Sequence, residues 1–312
     1  MEPTLRVAHV LLALAGLVAV GTPPAAAQLL PSPRQVHHIH GLALDRRDPD
    51  TLYVATHTGL VRLRPSAEPD WIGGLDLMGF TAHPAEADLM YASGHPDMAT
   101  YREQGVGNLG LLVSRDGGRT WRSVALKGAV DLHALAYSPR NGGQLYGWNV
   151  AGQPGLYRIS AGDWAVETLP ARGLSAVLSL AASPNPAGPL LAGTKAGLMI
   201  SRDGGLTWVR VTTIRADAWV TAVGYHPTDA RLVYAYVARP GGGLMRSRDG
   251  GSGWERAGFV ANPPGMVVAL TIGPDQHVVV ATSEADVLHS RDGGRTWHPV
   301  VQQGRPVVVP AR

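Results

Sequence analysis

Short apolar runs, each bounded by turns rich in Gly, Pro or Asp, recur along most of the chain. Each repeat contains an apolar strand that ends near Pro, a second strand that often has Tyr at its second position, a third strand, and a fourth that begins near a Trp. Four short strands per unit, at a period of about 40 to 50 residues, are typical of a β-propeller. We therefore predict an all-β fold: one six-bladed β-propeller of four-stranded antiparallel blades over residues 40–300. Six equivalent first-strand residues mark the units at spacings of 38, 55, 45, 43 and 47 residues: Leu42, Phe80, Leu135, Leu180, Val223 and Leu270.

An octapeptide, S-R-D-G-G-x-x-W, occurs four times, at residues 114–121, 201–208, 247–254 and 290–297. Its two glycines permit a tight hairpin with positive φ, and its Asp can accept backbone N–H groups within that turn. The Trp is expected to pack between neighbouring blades. Four near-identical copies around a ring argue against a single catalytic Asp, so we interpret these residues as structural: Asp116, Asp203, Asp249, Asp292, Trp121, Trp208, Trp254 and Trp297.

The octapeptide resembles the Asp box, or BNR repeat. Over about residues 40–300 the chain is similar to Asp-box propellers, a group that includes sialidases, the sortilin ectodomain and photosystem II assembly factors. Residues 38–42, 55–59, 78–80, 93–96 and 132–135 resemble, more narrowly, secreted bacterial propellers labelled glycosyl hydrolases or exo-sialidases by similarity. The resemblance implies a fold with Asp-box hairpins, but one fold carries many activities.

The resemblance also makes a sialidase-like glycosyl hydrolase an alternative. Sialidases of this fold are expected to hold the substrate carboxylate with three arginines, one of them supplied by an early F/Y-R-I-P motif. No such motif precedes blade one, and the nearest string, at residues 157–160, lies in blade three and lacks the Pro. Sialidases of this fold are also expected to pair a Tyr nucleophile with a Glu. Tyr101 and Glu103, in the long loop of blade two, are a Tyr and a Glu close together in sequence. The catalytic residues therefore stay unassigned, and whether the protein is an enzyme stays open.

Four histidines are predicted to face one mouth of the ring. Strand one begins, and strand two ends, on the same face of an antiparallel blade. That rule brings together His40, His57, His95 and His133, which come from consecutive blades one to three. Imidazole is the commonest metal ligand, so these four residues are candidate ligands for Zn or Cu. The alternative is that they line a wet channel and bind water or backbone.

Further residues near this mouth are candidates for binding a ligand. Asp97 and Asp131 lie close in sequence to two of the histidines, where a carboxylate can orient an imidazole N–H. Loop 94–110 of blade two is long, and long loops in compact repeats are often functional. The remaining candidates come from that loop and from equivalent strand ends: Tyr101, Arg102, Glu103, Asn149 and Lys195.

Composition narrows the classes of function. The chain contains no Cys, which excludes a disulfide scaffold, a thiolate metal site and a cysteine nucleophile. The formal net charge is +3, and the basic residues are scattered without a run that indicates nucleic-acid binding. We therefore expect no nucleic-acid partner.

The N-terminus predicts export. Residues 7–20 are apolar except for His9, residues 21–24 break the run, and Ala25-Ala26-Ala27 provides small residues for cleavage. We predict a secretory signal peptide at 1–27, a lead-in at 28–39 and a C-terminal tail at 301–312 that either adds an outer strand or frays. An uncleaved anchor is the alternative, although the apolar run is short for a membrane span. The mature chain is then expected in the periplasm or the medium, without a membrane span.

Three hypotheses about function follow, in order of preference. The first is a ligand- or partner-binding or assembly protein that uses the His-rich mouth of blades one to three. Its partner would be a glycan, a small ligand or a protein segment. The second is a metal-binding propeller, and the third is the sialidase-like hydrolase. We expect a monomer.

Overall fold

The computed structural model describes residues 34–214, 218–262 and 265–307. Within these ranges the strands form six separate antiparallel sheets, and the first strand of each sheet packs against the first strand of the next. The first strand of the last sheet packs in turn against that of the first sheet, which closes the ring. The predicted six-bladed β-propeller is confirmed. The predicted signal peptide lies outside the described residues.

The first three blades include the longest connection, which carries one short α-helix. In each blade the strands follow one another from the channel outwards. Their bounds are β1 (Ile39–Leu44), β2 (Leu52–Thr56), β3 (Gly59–Leu63) and β4 (Asp70–Ile72) in blade one; β5 (Asp76–Ala82), β6 (Met90–His95), α1 (Met98–Gln104), β7 (Leu111–Ser114) and β8 (Arg122–Ala125) in blade two; and β9 (Leu132–Ser138), a 3-10 turn (Arg140–Gly142), β10 (Gln144–Asn149), β11 (Gly155–Ser160) and β12 (Val166–Leu169) in blade three.

Of the last three blades, blade six has an additional fifth strand. β25 pairs with the fourth strand of blade six and makes it five-stranded, so residues 305–306 add an outer strand as the C-terminal pattern allowed. The bounds are β13 (Val177–Ala182), β14 (Leu190–Thr194), β15 (Gly197–Ser201) and β16 (Val209–Arg210) in blade four; β17 (Trp219–Tyr225), β18 (Val233–Ala238), β19 (Gly243–Ser247) and β20 (Glu255–Arg256) in blade five; and β21 (Val267–Ile272), β22 (Val278–Thr282), β23 (Val287–Ser290), β24 (His298–Gln302) and β25 (Arg305–Pro306) in blade six.

Burial follows the order of strands within a blade. The second strands are covered by neighbouring blades on both faces, so β2, β14 and β22 are buried at every position. The outermost strands β16 and β20 are exposed throughout. Within the described ranges, the buried apolar residues form one cluster between each pair of adjacent blades. The core is therefore a ring of interfaces between blades.

Every first strand is irregular near its start. The pairing of β1 with β2 skips one residue between Ile39 and Gly41, and the other five blades show the same kind of register shift. A bulge of this kind bends a strand and re-aims the side chain of the extra residue. Each skipped position includes the residue that the sequence placed at the mouth: His40, Met78, His133, Leu178, Thr221 and Val268.

The four octapeptides all form the same kind of turn, which hydrogen bonds of the Ser and Asp side chains hold in place. In the blade-four copy the hydroxyl of Ser201 donates to Asp203 Oδ1 at 2.8 Å and accepts the backbone N–H of Gly205 at 2.8 Å. Hydrogen bonds of the following Thr to the carboxylate lower the pKa of Asp116 and of Asp203 to about 2. In blades two, four and six the turn packs against the Tyr of the preceding blade, as Gly293 does against Tyr234. The geometry supports the structural interpretation of these Asp residues.

The joint between blades six and one is packed differently. Blade one has no octapeptide, and Val279 stands at the strand-two position where four of the other blades have Tyr. A cavity of about 240 Å³ lies there, lined among others by Val279, His277, Arg64 and Val307. The backbone N–H of Val36 donates to Gly304 O at 2.8 Å across this joint. We call this region the seam.

Candidate functional site

The predicted histidines lie along a row of imidazole and carboxylate groups. His40 Nε2 lies 3.1 Å from His57 Nε2, and His57 Nδ1 lies 2.6 Å from Asp76 Oδ1. The other oxygen of Asp76 lies 3.0 Å from His95 Nδ1. We call the series His40, His57, Asp76, His95, Asp131 and His133 the mouth row. It crosses blades one to three without a gap longer than 3.5 Å between neighbouring polar atoms.

Asp131 is the best-buried member of the row. It is 7% exposed, its Oδ2 lies 2.8 Å from His133 Nε2 and 3.5 Å from His95 Nε2, and its Oδ1 has no hydrogen-bond partner in the structure. Burial acts to raise the pKa of Asp131, but the His133 hydrogen bond and the charges of His133 and His95 outweigh it, and the pKa is lowered. A buried acceptor with one unused oxygen favours a ligand that brings a donor or a cation.

The backbone around Asp131 is held by side chains of two blades. Asn149 Oδ1 accepts the Asp131 N–H at 2.9 Å, and Ser93 Oγ accepts the Leu132 N–H at 3.0 Å. Asn149 is 1% exposed, and its amide donates to the Ala151 and Gln153 carbonyls. Asn149, one of the predicted ligand-binding candidates, is therefore buried and holds the Asp131 backbone in place.

The first member of the row lies at the entrance to the central channel. His40 and His133 line this channel at one end, and Arg46, Tyr137 and His226 line it at the other. Its cavity volume is about 200 Å³. Burial, and then the neighbouring His57, lower the pKa of His40 to about 4. His40 is therefore a neutral imidazole at neutral pH.

The loop of blade two brings other candidates to the same face but not into the row. Asp97 caps α1: its Oδ1 accepts the Thr100 N–H at 2.8 Å, and this bond lowers the pKa of Asp97. The prediction that Asp97 orients a histidine is wrong in this structure, because both its oxygens bond to Thr100. Tyr101, Arg102 and Glu103 lie on α1 with exposed side chains.

Lys195 lies in the neighbouring blade. Its Nζ is 5.0 Å from the centre of the Trp219 ring, a cation–π contact at the start of blade five. The structure therefore pairs Lys195 with an aromatic side chain.

The residue that sequence reasoning missed is Asp76. It pairs with His95 in the β5–β6 register and links the histidines of blades one and two. A signal was present: Asp76 and Asp131 each stand two residues before the bulge residue of their blade, and His38 holds that position in blade one. The His38 ring lies 4.9 Å from the His57 ring, and its backbone has φ 51°.

Within the described ranges, no group of three or more His, Asp or Glu side chains, as they are placed, could hold a metal ion. No α-helix among those residues has the length and apolar character of a membrane span.

Residues 156–309 match the family model described as photosynthesis system II assembly factor YCF48, a BNR-repeat model. The ring of four-stranded blades makes the chain a β-propeller, and over these residues it is similar to the BNR-repeat family. A comparison with curated proteins found no match.

Solved structures share the fold at low sequence identity. The GH74 xyloglucanase from Xanthomonas campestris is 18% identical with a TM-score of 0.57, and the match covers 85% of this chain and 45% of that one. An extracellular domain of a putative one-component system from B. thetaiotaomicron is 11% identical, with a TM-score of 0.56 and coverages of 86% and 34%. YCF48 from Cyanidioschyzon merolae is 15% identical, with a TM-score of 0.52 and coverages of 83% and 97%. The chain thus spans less than half of the first two proteins.

Proposed function

We propose that this protein is an extracytoplasmic, non-catalytic binding propeller that holds a segment of a partner protein at the mouth row. The observation that carries the proposal is the buried Asp131, whose Oδ1 is unpaired beside two imidazoles at an open face. A basic side chain or an amine of the partner would supply the missing donor. The match to a family model described as an assembly factor supports a binding role.

Exposed apolar side chains on the same face favour a protein partner. Met98 is 62% exposed and Tyr101 46%, both on the connection between strands two and three of blade two. Val150, on the equivalent connection of blade three, is 39% exposed. A polar centre beside exposed aromatic and Met side chains is typical of protein interfaces. We call these three residues the apolar rim.

The extracytoplasmic location rests on the N-terminal pattern alone. Its 14-residue apolar run at 7–20, followed by Ala25-Ala26-Ala27, is typical of a signal peptide. An intact-mass measurement of the exported protein checks it: a mature chain that begins at Gln28 agrees, and a chain that retains residues 1–27 contradicts it.

The binding proposal is tested with a phage-displayed library of random peptides, panned against the purified chain in EDTA. Selected peptides should be rich in Lys or Arg and should bind at least tenfold more weakly to Asp131→Asn and to Tyr101→Ala. Tyr101 is exposed on α1, so the second variant removes a rim side chain without touching the core.

The matched control is His298→Gln, an exposed His on the outermost part of blade six. Peptides that bind all four proteins equally, or a library from which nothing is enriched, would contradict the proposal. Circular dichroism of each variant confirms that the blades are intact.

A further inference from the structure

Asp76 contacts Nδ1 of two histidines at once. Its two oxygens lie 2.6 Å from His57 Nδ1 and 3.0 Å from His95 Nδ1. A carboxylate only accepts hydrogen bonds, so both Nδ1 atoms carry a proton. His57 Nε2 then presents a lone pair, whereas His95 Nε2 lies 3.5 Å from Asp131 Oδ2 and faces a second carboxylate. Metal-binding histidines have this arrangement, in which a carboxylate holds one ring nitrogen and leaves the other free to ligate.

The free nitrogen of His57 faces another imidazole. Its Nε2 lies 3.1 Å from His40 Nε2, and the two rings are nearly perpendicular, at 82°. Two nitrogens at that distance share either one proton or one cation. Imidazole nitrogens bound at about 2.0–2.1 Å to one tetrahedral Zn²⁺ lie roughly 3.3 Å apart. The pair already has nearly the separation of two ligands of one ion.

A third imidazole stands beside the pair. The His38 ring is 4.9 Å from the His57 ring in an edge-on contact, and the side chain is exposed. His38 has φ 51°, a conformation that a non-Gly residue rarely adopts. The rings of His38 and His40 both lie in edge-on contact with the ring of His57. An exposed ring can rotate at low cost, so His38 can complete a three-histidine set.

The charge of the surroundings favours a cation. Asp76 contacts His57 directly, and Asp131 lies further along the same row with an unpaired oxygen. Three imidazoles with one carboxylate behind them are the donor set that Zn²⁺ and Cu²⁺ prefer.

We infer that a divalent transition-metal ion of the Zn²⁺ or Cu²⁺ class binds between His40 and His57, with His38 as the third ligand and Asp76 as the residue that orients His57. This deepens the proposed binding function and rests on the same mouth. A three-histidine site leaves a coordination position open, and a donor of the partner segment can fill it.

The test uses the full mature chain without a polyhistidine tag, stripped with EDTA and then loaded with Zn²⁺ or Cu²⁺. Metal content is measured by elemental analysis after desalting, and affinity by competition with a chromophoric chelator. We expect one equivalent on the wild type, no stoichiometric metal on His57→Gln, and about 10- to 100-fold weaker binding to Asp76→Asn. His298→Gln serves as the control that retains the wild-type affinity.

Imidazole ¹⁵N spectra give an independent readout, because metal should shift Nε2 of His40 and His57 without unfolding the chain. The inference is overturned if neither ion binds in stoichiometric amount, or if His57→Gln retains it. It is also overturned if His133→Gln loses the metal as fully as His57→Gln, because the ion would then lie elsewhere in the mouth row. Peptide binding in EDTA tests the proposed function separately, so failure of one leaves the other intact.

Discussion

Replacing Asp203 by Ala should destabilise the propeller by about 1–2 kcal/mol, the range for losing a side-chain cap of this kind. Asp203 accepts four hydrogen bonds: one from the Ser201 hydroxyl, one from the Leu206 N–H, and two from Thr207, whose hydroxyl lies 2.5 Å from Oδ2. Each is worth roughly 0.5–1.5 kcal/mol net, and exposure of the turn reduces the sum because water replaces part of it. The assay is the free energy of unfolding from urea titration.

The chain supplies a matched comparison in the blade-five octapeptide. There Gly253 replaces the Thr, so Asp249 accepts from the Ser247 hydroxyl and from two backbone N–H groups but has no Thr hydroxyl. Asp249→Ala should therefore destabilise the chain less than Asp203→Ala does, because it removes one hydrogen bond fewer.

Acid pH gives a second check on the same pair. The folded pKa of Asp203 is about 2, below the ordinary 3.8, so its stabilising contribution is present above pH 3.8 and is lost as the pH falls towards 2. The difference between wild type and Asp203→Ala should narrow over that interval. A difference that stays constant to pH 2, or equal costs for the Asp203 and Asp249 variants, would refute the reasoning.

Two further predictions concern packing and pH. Gly118→Ala should lower the free energy of unfolding by more than about 1 kcal/mol, because φ is +87° and the new Cβ would lie 2.3 Å from Leu60 Cδ2. The control is Gly162→Ala, whose new Cβ would meet no atom within 4 Å. It should change the free energy of unfolding by no more than about 0.5 kcal/mol in the same urea assay. Burial, and then the nearby His289, lower the pKa of His277 to about 4 from 6.5, so the unfolded chain binds the extra proton and stability should fall as pH drops from 6.5 to 4. His277→Leu should flatten that part of the profile of unfolding free energy against pH, and an unchanged slope would count against a neutral buried His277.

The fold could be predicted from sequence because the repeating units give the number of blades and the number of strands in each blade. Aligned units placed His40 and His133 at equivalent positions, and the structure shows that the shared feature is a bulge. The mouth row was only partly predictable. Asp97 is nearer in sequence to His95 than Asp76 is, yet Asp97 starts a helix, whereas Asp76 pairs with His95 across the β5–β6 ladder. Closeness in sequence therefore predicted the wrong carboxylate for His95, because the pairing of strands β5 and β6 determines which one it contacts.

The seam gives the ring a preferred place to come apart. Three of the other joints have an octapeptide turn packed on a Tyr ring, whereas this one has a cavity beside Val279 and is bridged by the Val36–Gly304 hydrogen bond. Residues that line a cavity lack packing partners on that side, so local opening of this joint should cost less free energy than opening of a filled joint. Amide hydrogens of blades one and six should then exchange ahead of those in blades three and four. Unfolding of the ring should therefore begin at the joint between blades one and six, and the blades opposite that joint should separate last.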